Sequence, residues 1–336
     1  ATRMEAGIAI IPTAPEQLRN RDAHYPYRFD SYFHYLTGFR EPEAVLVMIA
    51  ASRDTAAKHI LFCREKNLER EIWDGLRYGP DAAKEVFGFD EAYPIGQLDE
   101  LLPPLLTNQP AVYAAFGQDQ AWNQRIIGWL NQVREQSRTG VASPAEIHDY
   151  RTVLDDMRLI KGSDELQIMQ RAADISTQAH QRAMQTTCPG MREYEIEAEL
   201  LYTFYRHGAQ APAYTSIVAG GANACVLHYV DNNAELKSGD LLLIDAGCEL
   251  DGYASDITRT FPINGRFTPQ QRDVYQLVLA AQLEAIEQVK PGNRWNDPHQ
   301  AALRVLAQGF LDLGLCHGSV DAILETEDYK SFYMHK

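Results

Sequence analysis

The chain has 336 residues, of which 45% are hydrophobic, and a formal net charge of -15, which provides for two domains with a sizeable core and matches an ordinary globular composition. The acidic balance argues against nucleic acid or an anionic membrane as partner, because both are gripped through basic patches. No stretch approaches the roughly 18 apolar residues of a membrane span. The five cysteines, Cys63, Cys188, Cys225, Cys248 and Cys316, are odd in number, widely spaced and free of any Cys-x-x-Cys pair, so a reducing, cytoplasmic compartment is expected. Residues 1–5 carry no apolar signal core, and a start without Met suggests trimming.

In chain order, the apolar, β-branched or aromatic runs at 7–11, 44–50, 59–62 and 111–115 predict strands, and 80–87, 98–106 and 119–133 predict helices. Residues 136–147 are polar and punctuated by Ser137, Thr139, Gly140, Ser143 and Pro144, which places a domain boundary near Tyr150. Beyond it, Ser163 can cap a helix whose positions Leu166, Met169, Ala173, Ser176, Ala179 and Ala183 keep one face, ending before Pro189-Gly190. A second helix is predicted over about 193–208. Thr268-Pro269 starts a third by the cap-then-proline rule, with Val274, Leu277, Val278, Ala281, Ala285 and Val289 inward, ending before Pro291-Gly292. Asp297-Pro298 opens a fourth that closes near Gly314. Helix, Pro-Gly, helix thus occurs twice, which predicts an internally duplicated domain with helix pairs covering a sheet.

Between the two repeats lies the candidate chemistry. Asp245 ends the apolar run Leu241-Leu-Leu-Ile244, Asp256 sits in Tyr253-Ala-Ser-Asp-Ile-Thr-Arg-Thr-Phe261, and a turn-like Glu-Leu-Asp-Gly separates them. A hairpin loop at Leu250-Asp251 sets the aspartates directly opposite each other, whereas a loop at Asp251-Gly252 makes them diagonal neighbours. Either register leaves both on one face, with Cβ atoms about 5 Å or about 7 to 8 Å apart. Two negative charges that close call for a cation, so the pair is a candidate metal site. The plainer alternative makes one aspartate a turn residue and pairs the other with Arg259. Residues 216–219, 224–230, 239–245 and 253–261 are predicted as consecutive antiparallel strands, which would put His228 in the same sheet. A strand histidine is commonly a satisfied structural residue; beside a metal it becomes a candidate proton shuttle or substrate ligand.

These residues resemble aminopeptidase P, the Xaa-Pro aminopeptidases of the group with the pita-bread fold. The resemblance runs over nearly the whole chain. It is carried by Leu243-Ile-Asp-Ala-Gly-Cys-Glu249, by Gly252-Tyr-Ala-Ser-Asp-Ile-Thr-Arg-Thr-Phe-Pro262, by Leu227-His-Tyr229, and by Pro26-Tyr-Arg28 with Phe33-His-Tyr-Leu-Thr-Gly-Phe-Arg-Glu-Pro42. It implies an α/β chain of the α+β kind: a small mixed domain over 1–150, then a pita-bread domain over 151–336 whose antiparallel sheet is covered by helices and whose second half is incomplete. It also implies that Asp245 chelates one of two divalent metal ions, that Asp256 bridges both, and that His228 holds substrate and moves protons. Trp73, in Glu71-Ile-Trp-Asp-Gly75, would reach a neighbouring subunit's active site in a dimer or tetramer; the simpler alternative is a packed surface aromatic.

One departure from the family pattern stands out. Members complete the two-metal site with a histidine and two glutamates that follow a Met-His-Gly segment, and this sequence reads Phe332-Tyr-Met-His-Lys336. His335 matches the substrate-contacting histidine of that segment, and Lys336 stands where glycine is expected. A truncated form that is inactive and binds Mn²⁺ weakly is therefore expected, since two carboxylates do not fill the shells of two cations. In the complete enzyme the resemblance implies paired cations, Mn²⁺ from oxygen and imidazole ligation, that generate hydroxide from a bridging water and polarise the scissile carbonyl. His228 or His335 would protonate the departing nitrogen of the amide before proline. The choice of proline rests on the resemblance alone. The alternatives are a prolidase acting on Xaa-Pro dipeptides and a metal-free scaffold built on the same fold.

Overall fold

The computed structural model describes residues 4, 6–51 and 56–334. The chain divides into two units, residues 1–166 and 167–336.

The first unit runs β1 (Ile8–Pro12), β2 (Leu18–Asn20), β3 (Ala23–His24), α1 (Ser31–Thr37), β4 (Val45–Ile49), β5 (Lys58–Cys63), α2 (Leu68–Asp74), α3 (Gly79–Phe87), β6 (Glu91–Pro94), α4 (Leu98–Leu106), β7 (Ala111–Tyr113), α5 (Gln120–Glu135), β8 (Glu146–His148) and α6 (Tyr150–Leu159). Six of these strands form one mixed sheet in the order β6-β5-β4-β1-β7-β8. β1 is antiparallel to β4 and parallel to β7, so it sits centrally and must be apolar on both sides. Its alternation does this: Ala9 and Ile11 join one core with Phe33, Ala83 and Leu154, while Ile8 and Ile10 join another with Leu98, Leu102 and Trp129. Both sheet faces are therefore sealed by helices. Asp149 caps α6 by accepting from the Arg151 amide, and Tyr150 and Leu154 of that helix lie in the first unit's core. The division accordingly falls beyond the point marked by polar texture, because residues 136–147 are a surface connection that leads into β8.

The second unit contains α7 (Ser163–Thr186), α8 (Glu193–Arg206), β9 (Ala211–Pro212), β10 (Ile217–Gly220), β11 (Leu241–Asp245), β12 (Cys248–Leu250), β13 (Tyr253–Ala254), β14 (Thr258–Pro262), α9 (Pro269–Glu287), α10 (Asp297–Asp312) and α11 (Val320–Thr326). β10-β11-β14 and β13-β12-β9 make two small antiparallel sheets. α7 and α8 cover the first of these, with Ala172, Ile175, Ala179, Ile196, Leu200 and Phe204 packed on Val218, Leu242 and Ile244. The buried stripe of α7 holds the expected Ser176, Ala179 and Ala183 and widens to Ala172, Ile175 and His180, while Leu166 is exposed.

The second helix pair departs from expectation. α9 packs on α10 rather than over a sheet, so close that a Cβ on Gly309 would meet Leu277 Cδ1 at 2.2 Å. Ala281, Leu303, Leu306 and Phe310 then form a separate small core. Of the positions expected inward on α9, Ala281 is buried, while Val274 (49%), Val278 (54%) and Val289 (75%) stay exposed.

A second correction concerns residues 224–230, which do not form a strand. β10 ends at Gly220, and Gly221 turns the chain with φ +56° while pressed against the Asp240 carboxylate, 2.7 Å from where a Cβ would stand. Residues 221–225 form a 3-10 turn, and Val226, Leu227 and His228 follow exposed. His228 is thus outside the sheet that carries Asp245, and the expected strand over 253–261 is broken into β13 and β14 with Asp256 in the link between them.

Candidate metal centre

Asp245 closes β11, and its strand alternates cleanly: Leu242 and Ile244 are buried against the helices, while Leu241, Leu243 and Asp245 share the opposite, half-buried face. The hairpin register is set at its tip. Asp251 and Gly252 have φ of +51° and +84°, the pair of left-handed residues that a two-residue type I′ turn needs. Leu250 therefore pairs with Tyr253, and the register continues to Asp245 opposite Thr258. That makes Asp256 the diagonal neighbour of Asp245, the second of the two registers left open by the sequence.

Tyr214 confirms that the two carboxylates converge. Its hydroxyl donates to Asp245 Oδ1 at 2.5 Å and lies 3.1 Å from Asp256 Oδ1, so those oxygens are at most about 5.6 Å apart, the two contacts laid end to end. One phenolic hydrogen serves two anionic groups. Burial and both carboxylates push the Tyr214 phenol far above its usual range. Arg259 does not supply the missing positive charge; its guanidinium donates to the Thr258 carbonyl at 2.7 Å. Among the described residues no Lys or Arg forms an ion pair with either aspartate. Converging carboxylates with one shared neutral donor and no cationic partner fit the oxygen-donor chemistry of a divalent cation. Among the described residues no third His, Cys, Asp or Glu joins them in a metal-binding group.

The aspartate pair is held from behind. On the buried face of α7, Ser176 Oγ lies 2.7 Å from Ser255 Oγ, and His180 Nε2 donates to the Ala246 carbonyl at 3.0 Å. Burial lowers the His180 pKa below the usual histidine range. Gly247 sits between the two arms so tightly that a Cβ there would lie 1.8 Å from the Ser255 carbonyl oxygen. On the open side, Leu241, Thr258 and Thr260 border a groove of about 600 Å³ whose other wall is Val274, Tyr275 and Val278 of α9.

The remaining sequence-based candidates lie on other segments of the chain. His228 is exposed in the turn after residues 221–225. Its neighbour Tyr229 donates to Glu193 Oε2 at 2.8 Å, and the fully buried Glu193 also accepts from Gly220 N, Asn223 Nδ2 and Ala234 N, which fixes both ends of the segment carrying His228. Trp73 lies on α2 in the first unit. At 81% exposure beside Leu68, Ile72 and Leu76, all above 80%, it is not a packed aromatic. His335 lies outside the described residues. Tyr214, Ser176, His180 and Glu193 were not singled out by the sequence for this site. Only the Ser176–His180 spacing, two polar residues one turn apart on a buried helical stripe, carried a signal that could have found them.

Residues 167–336 match the profile of metallopeptidase family M24, and residues 1–113 match the aminopeptidase P N-terminal domain. The chain belongs to metallopeptidase family M24. Within that family it is 42% identical to an Escherichia coli Xaa-Pro aminopeptidase over 99% of this chain and 76% of the relative. The solved Pseudomonas aeruginosa aminopeptidase PepP superposes with a TM-score of 0.96 at 49% identity, covering 99% of this chain and 75% of that one. A zinc-substituted E. coli aminopeptidase P in complex with product gives the same TM-score at 42% identity, over 99% and 76% of the two chains. The M24 pita-bread domain and its preceding mixed domain are thus both present, and a divalent-metal peptidase chemistry belongs to the family. All five cysteines are unpaired, and among the described residues no helix is long and apolar enough to cross a membrane.

Proposed function

We propose that this chain is a metal-dependent aminopeptidase that removes the N-terminal residue from peptides with proline in second position. The observation that carries the proposal is the convergence of Asp245 and Asp256 on one hydroxyl, on the open face of a sheet, within a chain of family M24. Asp245 and Asp256 would hold the cations, Mn²⁺ being the best match to carboxylate oxygens together with the imidazole that the family adds. When bound, such ions supply Lewis-acid activation of water and of the scissile carbonyl. The chain's own residues do the rest. Tyr214 keeps one oxygen of each carboxylate oriented, and the apolar strip Leu241 and Leu243 limits water on the same face. His228, on a segment locked by Glu193, is free to meet the peptide and to hand a proton to the departing nitrogen, a role shared with His335. Trp73, exposed beside the exposed Leu68, Ile72 and Leu76, suits a contact with a second copy in a dimer or tetramer. Unpaired cysteines support a cytoplasmic setting.

The test compares an Xaa-Pro tripeptide, an Xaa-Pro dipeptide and a tripeptide lacking proline, each with and without Mn²⁺, on a form that extends through the family's Met-His-Gly and glutamate segments. Mn²⁺-dependent release of the first residue from the Xaa-Pro tripeptide is expected; cleavage of the dipeptide alone points to a prolidase, and no cleavage of any peptide to a scaffold.

A further inference from the structure

Two of the polar side chains buried in the second unit, Ser176 and His180, face the metal hairpin from the same helix. They lie four residues apart on α7, hence one above the other on one face with Cβ atoms about 5 to 6 Å apart, and both are nearly or fully shielded from solvent. Alanine and isoleucine fill the rest of that stripe. Small apolar residues would pack there without any need for bonding partners, so the partners these two side chains reach are informative.

Each partner is adjacent in sequence to one carboxylate. Ser176 Oγ is 2.7 Å from the hydroxyl of Ser255, the residue before Asp256, and accepts from the Cys248 amide at 3.0 Å. Ser255 Oγ is also within 3.1 Å of the Cys248 amide and carbonyl, so one helix residue ties the two arms of the hairpin together. His180 Nε2 donates to the carbonyl of Ala246, the residue after Asp245. The Ala246 amide in turn donates to the carbonyl of Ile257, the residue after Asp256, at 3.1 Å. Gly247 lets the arms cross at a separation that no side chain would permit. The backbone on both sides of the aspartate pair is therefore referenced to a single rigid helix.

We propose that Ser176 and His180 are positioning residues that set the separation and direction of Asp245 and Asp256 for the cation. The inference rests on the metal-site assignment under the proposed function. Side chains that orient the groups supporting a metal ligand commonly change affinity by about 10- to 100-fold when removed, because a ligand displaced by a few tenths of an ångström loses its share of the coordination geometry.

The test uses Ser176→Ala, His180→Leu and His180→Gln in the form that binds Mn²⁺, with Thr203→Val as a control. Thr203 is equally buried in the same unit, but its hydroxyl bonds only within its own helix, to the Glu199 carbonyl. Mn²⁺ titration followed by electron paramagnetic resonance reads affinity and the spectrum of the bound ion, and thermal unfolding is recorded alongside. Ser176→Ala and His180→Leu are expected to weaken Mn²⁺ binding about tenfold and to alter the bound-ion spectrum. His180→Gln, which restores a side-chain N–H, should recover most of the affinity, and Thr203→Val should lower the unfolding temperature without moving either readout. Folded Ser176→Ala and His180→Leu proteins with affinity and spectrum unchanged would overturn the proposal, as would Thr203→Val weakening Mn²⁺ as much as they do. A second measurement needs no metal. In a crystal structure of His180→Leu, Tyr214 is expected to lose one of its two carboxylate contacts, and retention of both at the parent distances overturns the positioning role. Should Asp256→Asn bind Mn²⁺ like the parent, the metal-site assignment fails, while the Tyr214 geometry still decides whether the helix positions the aspartates.

Discussion

The six-stranded sheet of the first unit and the β10-β11-β14 sheet of the second solve opposite problems. In the first unit, β1 and β4 are apolar on both sides and helices seal both faces, where an unpaired polar side chain would be buried without water. In the second unit, β11 buries only Leu242 and Ile244; Leu241, Leu243 and Asp245 share its other, half-buried face, and Leu241 lines a groove there with Thr258 and Thr260. Chemistry collects where alternation leaves a strand face uncommitted. The cost is an exposed edge at β14, where Thr258 and Arg259 are exposed, and apolar positions of α9 left in contact with solvent.

This contrast can be broken at its tightest point. Gly247→Ala drives a methyl group to 1.8 Å from the Ser255 carbonyl oxygen, and is expected to cost upwards of about 4 kcal/mol or to prevent the second unit from folding; circular dichroism and urea titration read the loss. Trp129→Ala empties the helix-covered core of the first unit and should cost about 3 to 5 kcal/mol, yet leave Mn²⁺ affinity of the second unit unchanged, as calorimetry would show. Glu193→Gln replaces two of the four acceptor contacts by an amide that cannot accept them. A loss of about 2 to 3 kcal/mol is expected, with faster amide exchange over residues 220–234 as its signature. Trp73→Ala removes an exposed side chain and should change stability by no more than about 0.5 kcal/mol, while any copy-to-copy association measured by sedimentation weakens.

The smallest effect concerns acid. Arg125 and the Trp129 indole N–H hold the Asp99 carboxyl below its usual range. A carboxyl whose folded pKa lies below its unfolded value contributes stability above the unfolded pKa, near 3.8, and loses it as the pH falls through the folded value. Unfolding measured from pH 5 downwards should show a shallow loss that Asp99→Asn flattens.

Much of this architecture was legible because it follows from periodicity. The uninterrupted apolar runs became β1, β4, β5 and β7, and the helices of the first unit begin and end within a few residues of their polar caps and prolines. The aspartates were legible as a pair because alternation forces them onto one face whichever hairpin loop forms; only the left-handed Asp251-Gly252 tip decides the register. His228 was misplaced because Val226, Leu227 and Val230 imitate a strand, whereas Gly221 turns the chain and, among the described residues, no strand pairs with this segment. The exposed face of α9 was misread for a similar reason: apolar spacing says that a face can be buried, not what it is buried against. Tyr214 lies in an irregular segment and meets the aspartates across 31 and 42 residues, a contact that no local pattern encodes.

The central claim, that Asp245 and Asp256 act together on a cation, is tested most directly by anomalous scattering from crystals soaked in Mn²⁺. The account predicts an anomalous peak within coordination distance of oxygens from both carboxylates, absent from Asp256→Asn crystals. A peak bound by only one aspartate, or ions bound elsewhere with the Tyr214 bridge undisturbed, would contradict it.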